Sequence, residues 1–580
     1  MKKAKSLLVL LMALAMTASL AGCSTPSTST ATEAAETEAA EEAAETEAAE
    51  EAAEATETES GEKVFRYAST TEPTTLDPTM GNSIADNEIQ HAVTMGLVRC
   101  TAGEVTPDAA ESWEISEDGL TYTFHLREGL VWSDGEPVTA DQYVYGMQRL
   151  ADPETGSPYA WILGTAGIKN ANDVMYNGGD METLGVSAPD ESTVVIELEN
   201  PATYFLSLMG TCCQFTAVRQ DLVEEYGKDF AAKAENNVYA GPFKLVSSDN
   251  MKYVFEPNEN YWDADSIHWD RVELSIVSDS STQLAMYESG DLDFVYVPVE
   301  QVPNYDDVDE AYLNGNCDFV YINCSSETQP LLQDANFRLA LNYGLNRTAY
   351  IALATNNVYE PSTHITMPLV QGVEKTYGEE YFDTGIIEGY PVDGDEELAK
   401  EYLQKAMDAA GISDPSEIVL EYTTTDNETN KKIAEVCQEL WQQSLGITVN
   451  IRQVTYSEIY GTVFPSGDYE VGYGGWGPDF SDPYTYVSLW KSDIGYATNG
   501  SNYSQYKNEE FDALLESAVA ETDAQARMDM LADAEKILLA DGANVPLQNR
   551  MQHYLIDDDI TGVEFFFCAV NLDWVYGDCQ

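Results

Sequence analysis

From residue 64 onward the chain switches between two spacings of apolar side chains. Runs such as Thr121–Leu126 (TYTFHL), Thr193–Leu198, Lys252–Glu256, Val272–Val277, Phe319–Asn323, Ile418–Tyr422 and Thr448–Arg452 alternate apolar with polar positions or concentrate β-branched and aromatic residues, which predicts strands. Between them Ala140–Leu150, Ser281–Glu288, Asn336–Leu345, Glu396–Ala410, Glu428–Leu445 and Ala524–Leu539 repeat their apolar positions every three or four residues, which predicts helices. Glu428–Leu445 stops at Gly446 and passes directly into ITVNIR. A helix, a glycine able to adopt the left-handed stop conformation and a strand are the grammar of an α/β fold. Residues 60 to 580 are more than one compact core organises, so two or three lobes are expected.

The N-terminus departs from this pattern twice. Lys2, Lys3 and Lys5 precede the apolar run Leu7 to Ala18, which Leu20-Ala21-Gly22-Cys23 closes. About a dozen apolar residues are too few to span the roughly 30 Å hydrocarbon layer, and Ala21 and Gly22 suit a peptidase pocket, so residues 1–22 are predicted to be a cleaved export signal. The four closing residues resemble the lipobox of bacterial lipoproteins, which implies that Cys23 is lipidated and becomes the first mature residue; an ordinary secretory peptide with an incidental cysteine is the alternative. Residues 33 to 59 then carry twelve Glu and no Lys or Arg, with ETEAAEEAA repeated at 36–44 and 45–53. Like charges without large apolar side chains cannot bury enough surface to offset ordering, so residues 23–62 are predicted to be a hydrophilic tether. As a flexible coil it reaches roughly 35 Å on average, and self-repulsion extends it.

Charge narrows the function classes. The whole chain carries −73, and about −64 remains once the three signal lysines and twelve tether glutamates are set aside. Phosphate recognition requires a basic face, so nucleic acid is excluded as a partner, and an anionic lipid surface is disfavoured except through the anchor. The five histidines, His91, His125, His268, His364 and His553, are far apart and form neither HExxH nor HxH, so no metal site or zinc hydrolase is signalled. Cys212 and Cys213 are adjacent; Cys317 and Cys324 flank a run that, if extended, holds them roughly 20 Å apart, against a disulfide limit of about 7 Å. Mostly buried thiols are expected. GYGGWG (472–477) satisfies GxGxxG, but Pro478 and Pro483 with Asp479, Ser481 and Asp482 follow where a dinucleotide fingerprint needs a helix. Those glycines read better as sites of close backbone approach.

Four runs carry a resemblance. SWEISEDGLTYTFHLREGLVWSDGEPVTADQYVYGMQRLADPETGSPYA (112–160), AGPFKLVSSDNMKYVFEPNENYWDAD (240–265), FRLALNYGLNRTAYI (337–351) and GWGPDFSDPYTYVSLW (475–490) look like the extracytoplasmic oligopeptide-binding proteins of ABC importers, and the likeness covers essentially residues 64–580. It implies an α/β fold of the periplasmic-binding-protein type II kind, with two hinged ligand-binding lobes and an extra structural lobe. Motif by motif, lobe I takes 64–94, 219–316 and 546–580, lobe II takes 95–218, and lobe III takes 317–545. Trp132-Ser133-Asp134-Gly135 with Thr139 and Asp141 reads as a turn and a capped helix entry, and Asn258, Tyr261, Trp262 and Asp263 as a structured loop, neither with a ligand role.

The resemblance further implies a lipid-anchored monomer on the extracytoplasmic face of the membrane. On that resemblance the protein is expected to be no enzyme, to carry no cofactor, and to capture oligopeptides and hand them to an ABC permease with cytoplasmic ATPases. Other members take metal chelates or sugars, and a peptide-sensing lipoprotein without transport is a further alternative. In peptide-binding relatives the acidic residue at the position of Asp479 faces the ligand's α-ammonium, and one charge-assisted hydrogen bond of that kind contributes about 1.5–3 kcal/mol whatever the peptide's sequence. The alternative is that Asp479 caps a turn before Phe480. Main-chain groups of Gly475, Trp476 and Gly477 would pair with the peptide backbone from one side. By a gap-free alignment between Leu76-Asp77-Pro78 and Gly96-Leu97, Asn82, Ser83 and Ile84 fall where relatives supply the opposing strand. Reading a peptide as an added strand explains tolerance of sequence. Trp476, Tyr296 and Tyr321 are candidate pocket liners, with core packing the alternative. Phe480 and Pro478 depart from the tyrosine and small residue frequent in relatives, and Pro478 has no N–H to offer.

Overall fold

The computed structural model describes residues 61–101, 104–305, 310–492, 502–568 and 570–579. The signal 1–22, Cys23 and the tether up to residue 60 lie outside the described residues.

Among the described residues, beside three two-stranded ribbons, three sheets have four or more strands and are built from fifteen strands in all. They are β1 (Val64–Ser69), β2 (Ala110–Ile115), β3 (Thr121–Leu126), β4 (Val186–Asp190), β5 (Thr193–Glu197), β6 (Phe243–Ser247), β7 (Lys252–Pro257), β8 (Arg271–Ile276), β9 (Phe294–Tyr296), β10 (Glu310–Ile322), β11 (Glu360–Pro361), β12 (Val419–Thr425), β13 (Thr448–Val454), β14 (Val471–Trp476) and β15 (Asn544–Ile556). The first sheet has the order β1-β8-β7-β6 and the second β2-β3-β5-β4. The third, mixed sheet has the order β9-β15-β10-β14-β12-β13, with β11 against β15. The alternating runs of the sequence thus became strands, and the expected α/β class is what the chain adopts.

Side-chain alternation explains which faces are covered. Along β10, Val320 and Ile322 enter one core with Tyr422, Trp441 and Leu547, while Phe319 and Tyr321 enter another with Trp490, Leu531 and Leu538. Successive residues of a strand face opposite sides, so a strand apolar at every position must be covered on both. One cover is the helix α4 (Glu428–Leu445), whose buried Ile433, Val436, Cys437, Leu440 and Trp441 form a stripe at helical spacing. Asn427 caps it by accepting from the Asn430 N–H, and Gly446 ends it at φ +71°. Each large side chain buried this way contributes about 1.5–3 kcal/mol. On the other face lies α5 (Ala524–Asp541), capped by Asp523 and stopped by Gly542.

The first sheet packs Phe65, Tyr67, Phe255, Trp269 and Trp574 into its own core. The second encloses Phe124, Tyr143, Met147, Val194, Ile196 and Phe205. The motifs read as structural join these two: Tyr239 N–H donates to Ser133 Oγ, Asn260 Nδ2 donates to the Trp132 carbonyl, and Trp262 Nε1 donates to Asp108. The helix entry at Thr139 is held by the Gln142 side chain, which accepts from the Thr139 N–H and from Trp132 Nε1.

Two long strands connect the first core with the third sheet. β15 begins among Val545 and Leu547 and ends with Tyr554 in the first core, and β10 pairs with it along most of its length. The expected strand Phe319–Asn323 is only the far end of β10. Asn314, Gly315 and Asn316 break the apolar alternation, and the structure absorbs them as a register shift between Leu313 and Cys317 without ending the strand. Gly315 sits at φ +81°, where an added Cβ would lie 1.8 Å from the Phe567 carbonyl oxygen. Left-handed backbone alone costs a non-glycine residue about 1–2 kcal/mol. Gly315→Ala is therefore expected to destabilise the protein by more than about 2 kcal/mol, read as a lowered midpoint in chemical denaturation; an unchanged midpoint would contradict this account of the bulge.

Candidate functional site

The segment GGWGPDFSDP begins inside the third sheet. β14 lies antiparallel to β10, with Gly474 opposite Phe319, Gly475 opposite Asp318 and Trp476 opposite Cys317. A Cβ at Gly472 would meet the Phe464 ring, one at Gly474 would lie 2.4 Å from the Tyr321 ring, and one at Gly475 would lie 2.5 Å from an Asp318 carboxylate oxygen. The glycines are therefore required by side chains of the protein itself. On its other edge β14 pairs with β12 only at Val471 and Gly472. Among the described residues no strand continues alongside Tyr473 to Trp476, which leaves one edge of that stretch unpaired. An unpaired edge is where an extended chain can add as a strand.

Beyond β14 the chain crosses to the second core. Phe480 is buried there, stacked on Tyr204 with ring centroids 4.6 Å apart. Two residues later Asp482 makes a bidentate ion pair with Arg527 of α5, at 2.7 and 2.9 Å, and both side chains are almost fully buried. Trp476 is half-buried, with its Nε1 donating to Thr485 Oγ1. Asp479 sits between these anchors. Its carboxylate accepts from the Tyr159 hydroxyl at 2.7 Å, and its main-chain carbonyl accepts from the Cys212 thiol. Burial pushes the Asp479 carboxyl up to about 6, against which the Tyr159 hydrogen bond acts in the opposite direction. Among the described residues no Lys, Arg or His forms an ion pair with it, so the site holds an acidic group without a counter-charge. The turn-capping alternative is not what the side chain does, since its partner comes from another part of the chain.

Asn82, Ser83 and Ile84 depart from the expected opposing strand. Ser83 is the N-cap of helix α1 (Ile84–Val93): its hydroxyl accepts from the Asp86 N–H and donates to the Asp86 carboxylate, which also accepts from the Ser83 and Asn82 N–H groups. Serine followed three residues later by an acidic residue is a capping box; Ser83 itself keeps extended backbone, φ −120° and ψ 158°, and the helix begins only at Ile84. Ile84 nonetheless lines a cavity of about 360 Å³ shared with Tyr67, Glu88, Tyr296 and Val299. A second cavity, of about 390 Å³, is lined by Val299, Asp318, Tyr359, Lys432, Tyr473 and Arg550. Val299 lines both, so the two lie on either side of the segment that leaves β9. Of the aromatic candidates, Tyr296 faces a cavity, whereas Tyr321 is buried against Phe319, Phe464 and Trp490.

Sequence reading did not find Tyr159, Glu88 or the pair of Asp318 with Arg550. Tyr159 meets Asp479 across 320 positions, and nothing local marks it. Among the described residues the cysteines are thiols: Cys100, Cys212, Cys213, Cys317, Cys437 and Cys568 are buried, and Cys324 and Cys579 are partly exposed.

Comparison with known proteins places this architecture. The model of the bacterial extracellular solute-binding proteins, family 5 Middle, matches residues 104–498. The oligopeptide-binding protein OppA of Bacillus subtilis (strain 168) is 29% identical over 503 residues, covering 85% of this chain and 88% of the relative. The probable deoxycholate-binding periplasmic protein YgiS of Escherichia coli (strain K12) is 31% identical over 494 residues, covering 84% of this chain and 88% of the relative. The structure of Listeria monocytogenes OppA bound to peptide superposes with a TM-score of 0.69 at 26% identity, covering 90% of this chain and all of that one.

The anchoring of the Asp479 loop yields one test. Removing one partner of a buried ion pair leaves an uncompensated charge and costs about 3–5 kcal/mol. Asp482→Asn is expected to destabilise the protein by that amount in denaturant unfolding, and a cost below 1 kcal/mol would show that Arg527 does not depend on it.

Proposed function

The chain belongs to the bacterial extracellular solute-binding proteins of family 5, and from that membership we propose that it captures oligopeptides outside the cell, with Asp479 as the receptor for the peptide's α-ammonium. The observation that carries this reading is a partly buried carboxylate without a cationic partner among the described residues, just beyond a strand edge without a strand partner. The first offers charge to the one cation every free peptide has; the second offers main-chain pairing that every peptide can use. Gly475, Trp476 and Gly477 supply the pairing groups. On this reading Asn82 and Ser83 serve to begin α1 beside the site, and Ile84 contributes its side chain to the cavity wall.

The same reading divides the lobes as 64–94 with 219–316 and 546–580, then 95–218, then 317–545. Lipidation at Cys23 would hold the receptor at the extracytoplasmic face while the tether gives it reach, and the loaded protein would dock on an ABC permease. A non-peptide ligand is the second reading, favoured by the 31% identity to a relative described as deoxycholate-binding. Mass spectrometry of ligands released by acid from protein purified from its host separates the two: a peptide envelope supports the first, a single amphiphile the second.

Two outcomes test Asp479. Asp479→Ala is expected to weaken a bound peptide by about 2–5 kcal/mol in calorimetry, the range for stripping the partner from a buried charge; unchanged affinity would overturn the assignment. The pH dependence follows from the raised carboxyl. An ammonium needs the ionised form, so affinity should be full above about pH 6 and fall about tenfold per pH unit below it. The sign for folding is opposite: because the folded protein holds this proton more tightly than the unfolded chain does, the Asp479 contribution to stability declines as pH rises from about 4 to about 6.

A further inference from the structure

The cavity of about 360 Å³ beside Ile84 contains one ionisable carboxyl, that of Glu88 on α1. The rest of the lining is mixed: hydroxyls and amides such as Ser69, Thr71, Gln283 and Gln552, the rings of Tyr67 and Tyr296, and an aliphatic part that includes Ile84 and Val299; no Lys, Arg or His is among these residues. Its volume is that of a small-ligand pocket, far larger than a bridging water needs. Glu88 is positioned by a relay. Trp574 Nε1 donates to the Tyr67 hydroxyl oxygen at 3.1 Å, which leaves the Tyr67 proton to be donated to Glu88.

The groups facing Glu88 from the packed elements are Tyr67 on β1, Tyr296 on β9, Tyr312 on β10 and Asp573. Asp573 is already held by His91 at 2.9 Å and by Arg99 at 3.6 Å. Glu88 therefore has no counter-charge of its own, and burial with the Asp573 charge nearby pushes its carboxyl up to about 8. A carboxyl in this state is neutral near pH 7 and becomes a carboxylate when a cation arrives beside it.

Resting on the peptide-binding reading above, we propose that this cavity is a side-chain subsite for a basic residue of the ligand, with Glu88 as its counter-charge. The cavity adjoins Ile84 and Val299, so it opens beside the segment that also borders the cavity at Tyr473. The hydroxyls and amides supply hydrogen-bond acceptors for an ammonium or guanidinium, and the Tyr67 and Tyr296 rings supply faces for cation–π contact. Binding moves one proton from the Glu88 carboxyl to solvent as the basic side chain enters still protonated.

The test is calorimetry with penta-alanine and five variants in which lysine, or uncharged norleucine, replaces each alanine in turn. Lysine at one position is expected to bind at least about tenfold more tightly at pH 8 than norleucine there, the factor for one charge-assisted hydrogen bond. At pH 7 that peptide should release close to one proton, read from buffers of different ionisation enthalpy, and its advantage over norleucine should shrink by pH 6. Glu88→Gln should abolish both effects while leaving penta-alanine affinity within about twofold, which also reports that the variant is folded. If penta-alanine binds but no position prefers lysine, or the preference survives Glu88→Gln, this subsite is overturned while the peptide-binding reading stands. If none of the peptides binds, the peptide-binding reading itself fails, and the subsite with it.

Discussion

A buried carboxylate at the centre of the third sheet sets the terms for the structure around it. Asp318, almost fully inaccessible, accepts from Gln548 Nε2 at 2.6 Å and from two nitrogens of Arg550 at 2.8 Å, all from the neighbouring strand β15. In a low-dielectric interior such a charge is tolerated only when its lone pairs are filled and a cation is adjacent, so the register of β10 against β15 is not free to slip. The consequence on the opposite side is steric. The same carboxylate lies where a side chain at residue 475 would have to go, and β14 therefore carries glycine there. The pair that joins the two connecting strands thus also leaves no room for a side chain at residue 475, within the stretch whose outer edge is unpaired.

A second constraint acts on the loop that follows. Phe480 is committed to the core of the second sheet and Asp482 to Arg527 at the third, so the loop that leaves β14 is held by both cores. Asp479 directly precedes the first of these anchors, and among the described residues its side-chain hydrogen bond comes from Tyr159, which packs against the second core. The result is a partly buried carboxylate without a cation of its own among the described residues. Glu88 repeats the arrangement on the first sheet, beside a cavity. In a chain so rich in acidic groups many carboxylates lie on the solvated surface, and a partly buried one that lacks a cation and borders open space is able to interact strongly with a cationic ligand.

Much of the fold was legible along the chain. Helices 396–410 and 428–445 have the limits that their capping residues and glycines imply, because a helix is terminated by local hydrogen bonding and backbone handedness. Strand 121–126 likewise follows from its own alternation. The strand at 319 was legible only in part: its continuation to Glu310 runs through Asn314 and Gly315, residues that signal a break unless a partner strand is present to accommodate a bulge. At Asn82–Ile84 an alignment suggested extension, but Ser83 and Asp86 form a capping box that could be read in the residues themselves. Asp479 and its glycine-rich approach were identifiable from their motif, whereas Tyr159, Arg527, Arg550 and Glu88 were not marked, since each acquires its role from a group distant in sequence.

The division between the two kinds of information has a physical basis. Periodicity, caps and turn residues act over a few positions, so the sequence alone determined the α/β class, most of the elements and the identity of the segment that leaves the third sheet. Burial depends on what packs from elsewhere. Only the tertiary structure decided that Asp482 is neutralised by Arg527 and Asp318 by Arg550 while Asp479 and Glu88 are left without cations. The reason is that a carboxylate's energy is set by the dielectric and the charges around it, and neither is a property of its neighbours along the chain.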